Sequence, residues 1–306
     1  MARLPQTRTY KSVAVVKTKT VSVIIPFFNA SATKLQRSLQ SVLDQSHQPT
    51  DIIVVDDGSV LPFADLQKSD EFFQRNITWH ALGTNSGVAA ARNRGADLAN
   101  GDTLAFLDTG DWWEPTKLEE QLIELENHPE AGLVYTSASV HRANGVKLLA
   151  AKAAEDAYMK LLVTQPITGS ASSVLMPKHV FQAVGGFFEG YDIPEDRDLW
   201  LRVAEHYKVL PVENVLVHLQ EDPHSRSMDP LKKEKTYKTF LDMHEEKICK
   251  AKKWRQARAD MHIGLAIKFL RGRMLTKCCR HSFLGVFFSP SMFAAVIVRR
   301  ILLRHD

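Results

Sequence analysis

Three short acidic clusters give this sequence its chemical character: Asp56-Asp57-Gly58-Ser59, Asp108-Thr109-Gly110-Asp111 and Glu195-Asp196-Arg197-Asp198. Adjacent carboxylates repel, so Asp56 and Asp57 need partners. A base N–H or a ribose hydroxyl would supply them, and so would the backbone of a tight Asp-Gly turn. Asp108 and Asp111 could hold a hard divalent cation that keeps some waters and takes phosphate oxygens for the rest of its shell. The plainer alternative is an Asx turn ahead of the helix that Pro115 opens. In the third cluster a carboxylate could take a proton from an attacking hydroxyl, or the charges could simply favour a helix N-terminus. Arg92 and Arg94 follow Gly87 on a predicted helix and suit a diphosphate; a solvated face would carry them equally well. His224 could ligate a metal or sit idle in a loop.

These residues need a frame. Residues 21–25 and 52–55 are β-branched runs that read as buried strands, and 77–82, 103–107 and 133–136 read as three more. Helical periodicity covers 35–43 and 88–99, and Pro115 starts another helix where proline is tolerated. Alternating strand and helix predicts a mostly parallel sheet flanked by helices, with ligands at the carboxyl ends of the strands. The first two acidic clusters follow such ends. The second half is less regular: strands are expected at 172–176 and 209–219, and helices at 178–184 and from Leu199 onward. Beyond Leu231 the chain looks helical and basic.

Composition narrows the field. The 306 residues are 44% hydrophobic and 24% charged, which fits one large domain, or one domain with a small appendage, and argues against a disordered or multi-pass membrane chain. A formal charge of +4 does not imply nucleic acid. The charge is uneven, however. From Lys247 onward there are 14 Lys or Arg against two Asp, leaving the remainder net acidic. Cys249, Cys278 and Cys279 lack metal-ligand spacing, and their odd number fits a reducing cytoplasm. Residues 1–19 are expected to be a loose basic lead-in, 20–230 the main domain, and 231–306 a basic, partly amphipathic helical region. The apolar stretch at 283–298 is shorter than a spanning helix and carries Pro290, so an interfacial or packed segment is expected.

Seven landmarks in order resemble the family 2 glycosyltransferases, which have the GT-A fold. They are Val-Ile-Ile-Pro-Phe-Phe-Asn at 23–29, Leu-Gln-Ser-Val-Leu-Asp-Gln at 39–45 and Ile-Val-Val-Asp-Asp-Gly-Ser at 53–59. Asn-Ser-Gly-Val-Ala-Ala-Ala-Arg-Asn-Arg-Gly follows at 85–95 and Phe-Leu-Asp-Thr-Gly-Asp-Trp-Trp at 106–113. Val-Gly-Gly-Phe at 184–187 and Glu-Asp-Arg-Asp-Leu-Trp-Leu-Arg at 195–202 complete the set. The resemblance implies roles. Pro26 and Asn29 would border the nucleoside, Asp56 and Asp57 would hold base and ribose, and Arg92 would approach the phosphates. Asp108 would sit on the ribose side of a Mn²⁺ or Mg²⁺ site, with Asp111 nearest the cation and His224 at a position that completes the shell in some members. Asp196 would be the catalytic base and Glu195 its neighbour. Trp200 would wall the acceptor side or the core.

The chain departs from the family at Gly110, where an acid is usual, and at Phe28, where tyrosine is common. It lacks the Gln-x-x-Arg-Trp mark of processive members. The resemblance therefore implies inverting transfer of one sugar from a nucleotide sugar, UDP being the commonest donor nucleotide, to a saccharide or lipid-linked acceptor in surface polysaccharide or glycolipid synthesis. Two competitors remain. A nucleotidyltransferase would carry a Gly-rich, basic phosphate loop where Pro26-Phe27-Phe28-Asn29 stands, and a silent nucleotide-sugar-binding module is suggested only by Gly110. The basic tail is expected to meet an anionic membrane surface at the inner face of the plasma membrane; its alternative is an ordinary helical cap.

Overall fold

A computed structural model describes residues 20–60, 71–74, 77–168, 170–189, 194–221 and 229–295. The chain divides into two compact units. The first takes in everything up to Glu155 together with 167–190 and 199–221. The second comprises 156–166, 191–198 and 222–306. The division is thus discontinuous in sequence.

The first unit is built on one sheet. Strand β1 (Val21–Phe27) is buried along its whole length, as its β-branched composition requires. Beside it lie β2 (Asp51–Asp56) and, beyond that, β3 (Thr78–Ala81), both parallel. On its other side lies β4 (Thr103–Phe106), also parallel. The chain therefore reverses its direction of travel across the sheet between β1 and β4. In α/β sheets ligands bind at such a switch point, at the carboxyl ends of the strands.

The other strands are β5 (Trp112–Trp113), β6 (Ala131–Arg142), β7 (Gly145–Leu149), β8 (Val174–Pro177) and β9 (Lys208–Gln220). The order is β3-β2-β1-β4-β8-β6-β9-β5, with β7 on β6. The α/β sheet expected from the sequence is present. Its first half is parallel throughout. Antiparallel pairs of β8 with β4 and β6, and of β5 with β9, enter only after β4.

Helices cover the sheet. Helix α1 (Ala32–Leu43) is opened by Ser31, whose hydroxyl accepts from the Lys34 N–H. It buries Leu35, Leu39 and Val42 completely, each worth about 1.5–3 kcal/mol. Helix α2 (Val88–Leu98) follows β3, and α3 (Lys117–Asn127) begins two residues after Pro115. In α3 the Lys117 side chain is fully buried, its ammonium 3.9 Å from the centre of the Trp113 ring. Burial drives its pKa well below the usual lysine range.

The second unit is helical. It contains α4 (Ala157–Val163), α7 (Pro230–Met243), α8 (Glu245–Lys250), α9 (Trp254–Arg271) and α10 (Leu275–Phe288). In the first unit, α5 (Lys178–Ala183) follows β8. Helix α6 (Glu195–Ala204) has its first turn in the helical unit and its remainder in the sheet unit. No helix among the described residues is long and apolar enough to cross a membrane. The three cysteines are free.

Candidate active site

At the end of β2, the two adjacent carboxylates find their partners in the backbone. Asp56 accepts the Ser59 N–H at 2.9 Å and closes the turn. Asp57 accepts the Ser86 N–H at 2.6 Å and the Gly87 N–H at 2.9 Å. It thereby caps α2, whose own N-cap, Gly87, has no side chain to do so. Gly58 makes this approach possible. Its φ is +74°, and a Cβ there would lie 2.5 Å from the Asn85 nitrogen. Asn29, at φ 48°, donates its N–H to the Ser59 hydroxyl and accepts the Val60 N–H. The loops after β1 and β2 are thus tied into one rim.

Across the switch point, Thr109 donates its hydroxyl to the Pro26 carbonyl at 2.7 Å, joining the ends of β4 and β1. Arg92 is buried on α2 and holds Asp108 in an ion pair at 2.7 Å, with its guanidinium over Phe187. Asp108 remains one-third exposed. Asp111 is 8% exposed. One of its oxygens accepts the Ser172 hydroxyl at 2.7 Å, and the other accepts the Gln220 N–H at 2.9 Å. Burial, then repulsion from Asp108, pushes its pKa up to about 7 against the opposing pull of Ser172, Gln220 and Arg37.

Gly110 lies between these acids. Its φ is +105°, a conformation that side chains other than glycine resist. Its N–H meets the Ser38 hydroxyl, and its carbonyl accepts from Arg37. The acid usual in the family is absent at a position where this backbone suits glycine.

Asp108 and Asp111 repel one another, and a dication near them would relieve that repulsion. Each Asp111 oxygen has one hydrogen bond and retains lone-pair capacity. Two carboxylates are enough for a Mg²⁺-type site completed by waters and phosphate oxygens. Among the described residues no group of three or more His, Cys, Asp or Glu is placed to hold a metal ion. His224, the third expected ligand, lies outside the described residues.

Beside Asp111 is a group with no counterpart in the sequence reading. His218 bridges the Ser139 hydroxyl at 2.7 Å and Glu114 at 2.6 Å, with His141 at 3.2 Å. Trp112 is stacked on His218, with Arg37 over its ring. This network fixes β5 on β9, and with it the strand end that supplies the Gln220 N–H. Ser172, Arg37 and Gln220 were missed as well. Ser172 sits in a small polar run with no distinctive spacing. Gln220 contributes only a backbone N–H, which any residue but proline would offer.

The third cluster sorts itself inside the helical unit. Arg197 is buried, donating to the Leu161 carbonyl at 2.8 Å under the Phe240 ring, and its pKa is lowered to about 10 by desolvation. Asp198 is buried on His244 at 2.9 Å. Glu195 and Asp196 are half-buried, in the electrostatic reach of Lys233. Trp200 is core, packed edge-on to Phe187.

Residues 22–170 match the sequence profile of Glycosyl transferase family 2. This domain belongs to that family. Among relatives of the family 2 domain, the Bacillus subtilis putative teichuronic acid biosynthesis glycosyltransferase TuaG is 38% identical over 128 residues, 42% of this chain and 50% of TuaG. The Erwinia amylovora amylovoran biosynthesis glycosyltransferase AmsB is 34% identical over 125 residues, 39% of this chain and 41% of AmsB. The chain spans half or less of the length of these two relatives. A crystal structure of S. aureus TarS 1-349 in complex with UDP-GlcNAc superposes with a TM-score of 0.59 at 15% identity, over 88% of this chain and 91% of that one. At that identity the likeness is one of fold.

Proposed function

We propose that this chain transfers a single sugar from a nucleotide sugar, a UDP-sugar by preference, to the hydroxyl of a saccharide or lipid-linked acceptor, with inversion. The observation that carries the reading is the pair Asp108 and Asp111 at the β1/β4 switch point, held by Arg92, Ser172 and the Gln220 N–H in a domain of glycosyltransferase sequence. The donor nucleoside would lie along the rim formed by Pro26, Asn29, Asp56 and Asp57. That TarS was crystallised with UDP-GlcNAc supports a UDP-sugar donor. That two relatives are named for teichuronic acid and amylovoran biosynthesis supports a cell-surface polysaccharide or glycolipid as product. A nucleotide-sugar donor and three free thiols suit the cytoplasm.

A divalent cation at Asp108 and Asp111, with His224 as a further ligand, would neutralise charge on the departing diphosphate. The chain's own residues do the rest. Asp196 takes the proton of the acceptor hydroxyl while that oxygen forms its bond to the anomeric carbon. The bond from that carbon to the diphosphate breaks on the opposite face, and the electron pair leaves with the nucleoside diphosphate. Glu195 is the neighbour of Asp196 in the first turn of α6. Arg92 holds Asp108 in place for donor binding. Catalysis is then mostly positioning and charge stabilisation.

Incubating the full chain with labelled nucleotide sugars and Mn²⁺ or Mg²⁺ tests this. Release of nucleoside diphosphate is expected, lost in Asp196→Asn while donor binding persists. Release of pyrophosphate would instead assign a nucleotidyltransferase, and normal turnover in Asp196→Asn would remove the base assignment.

A further inference from the structure

We propose that the outer face of α10 is an interfacial element that lays the helical unit on an anionic lipid bilayer. Helix α10 has two unlike sides. Its inner side holds His281 and Gly285, both buried. His281 meets His262 of α9 with ring nitrogens 2.8 Å apart, and a Cβ at Gly285 would touch Ile263 at 3.1 Å. Its outer side presents Leu275 at 63%, Phe283 at 71% and Phe287 at 61% exposure, together with Val286. Phe283 and Phe287 are one turn apart and lie side by side. Single exposed apolar residues are ordinary, but a contiguous stripe of this kind marks an interaction surface.

Charge identifies the occupant. Between Met261 and His305 the sequence has eight Lys or Arg and no Asp or Glu. Arg273 and Arg280 are exposed beside the apolar stripe. A second copy of this chain would bring the same positive face and repel it. Three of those eight, Arg299, Arg300 and Arg304, fall in residues 296–306, against the single Asp306. Nucleic acid would satisfy the cations but leave leucine, valine and phenylalanine without a partner. An anionic bilayer satisfies both, taking the rings into the acyl boundary and the guanidinium groups among the phosphates. Among the described residues no helix is long and apolar enough to cross a membrane, and the proposed contact of α10 lies in the plane of the interface.

This inference goes beyond sugar transfer, and its test reads no turnover, so either can fail without the other. The full chain is mixed with vesicles of phosphatidylcholine alone, or with about a third phosphatidylglycerol, and floated on a density gradient. Flotation with the anionic vesicles is expected, weakening as salt rises. Phe283→Ser with Phe287→Ser should lower partitioning by about a hundredfold, and Arg280→Gln by about fivefold, with thermal melting unchanged. The proposal is overturned by failure of the wild-type chain to float, or by equal flotation of the double variant. A dimer that the double variant splits would assign the face to self-association. Equal flotation on phosphatidylcholine alone, unmoved by salt, would remove the anionic surface from the contact. Duplex binding lost in the double variant, without flotation, would assign nucleic acid. Each of these three also overturns it.

Discussion

The acids of the sheet unit and those of the helical unit are held by different means. Asp56, Asp57 and Asp111 accept from backbone N–H groups and, at Asp111, a neutral hydroxyl. Those donors fix a carboxylate in place without cancelling its charge. Asp198 is instead locked against His244, and its neighbour Arg197 lies under a phenylalanine ring. All four carboxylates are buried, so what separates them is the partner: backbone and hydroxyl dipoles at Asp56, Asp57 and Asp111, a histidine at Asp198. Asp108 stands between the two classes, since it is ion-paired with Arg92 yet one-third exposed. The three acidic clusters, alike in sequence, thus differ in what holds them: dipoles at Asp56, Asp57 and Asp111 of the first two, and at Asp198 of the third a basic side chain.

Substitutions at each class should break or sharpen that division. The largest effect is expected at Asp111. Asp111→Asn keeps the shape and loses the charge, so turnover should fall about 10²–10³-fold with little change in melting temperature. Asp198→Ala should do the reverse. It strands His244 in the buried helical unit and should destabilise by about 3–5 kcal/mol in denaturant titration. If Asp198→Ala left stability intact, or if Asp111→Asn unfolded the chain, the two classes would not be distinct.

A smaller effect is expected at the turn between the acids. Gly110→Ala forces a side chain into positive φ and should cost about 1–2 kcal/mol. The smallest is at Lys117, whose ammonium is buried among apolar neighbours. Lys117→Met should raise stability by about 1 kcal/mol at neutral pH. The sign follows from linkage. The folded-state pKa of Lys117 lies below its unfolded value, so the unfolded chain binds the extra proton between the two. Wild-type stability should therefore rise with pH through that window, and the advantage of Lys117→Met should shrink as pH approaches the ordinary lysine range.

Much of the sheet was legible because its strands are local statements. Residues 21–25 and 52–55 are β-branched runs, and both became buried parallel strands within a residue or two of the expected bounds. Strand β5 was not legible. Its two tryptophans are a strand only because His218 and Val217, more than a hundred residues later, pair with them. The acidic site residues were visible by type and order, but their partners were not. Asp57 caps a helix about thirty residues away, and Ser172 reaches Asp111 across 61. Sequence patterns carry neither bond, because backbone donors have no residue signature and a lone serine has no period. The fate of Arg197 and Asp198 was hidden for the same reason, since both partners come from helices elsewhere in the chain.

The central claim is that the switch-point acids serve a nucleotide sugar. Its most direct test is the melting temperature of the full chain with a panel of nucleotide sugars, with and without Mn²⁺, in wild type and Asp111→Asn. The account predicts that at least one UDP-sugar raises the wild-type melting temperature, and that Mn²⁺ adds a further rise that Asp111→Asn loses. No rise with any nucleotide sugar, or a Mn²⁺ increment equal in both proteins, would contradict it.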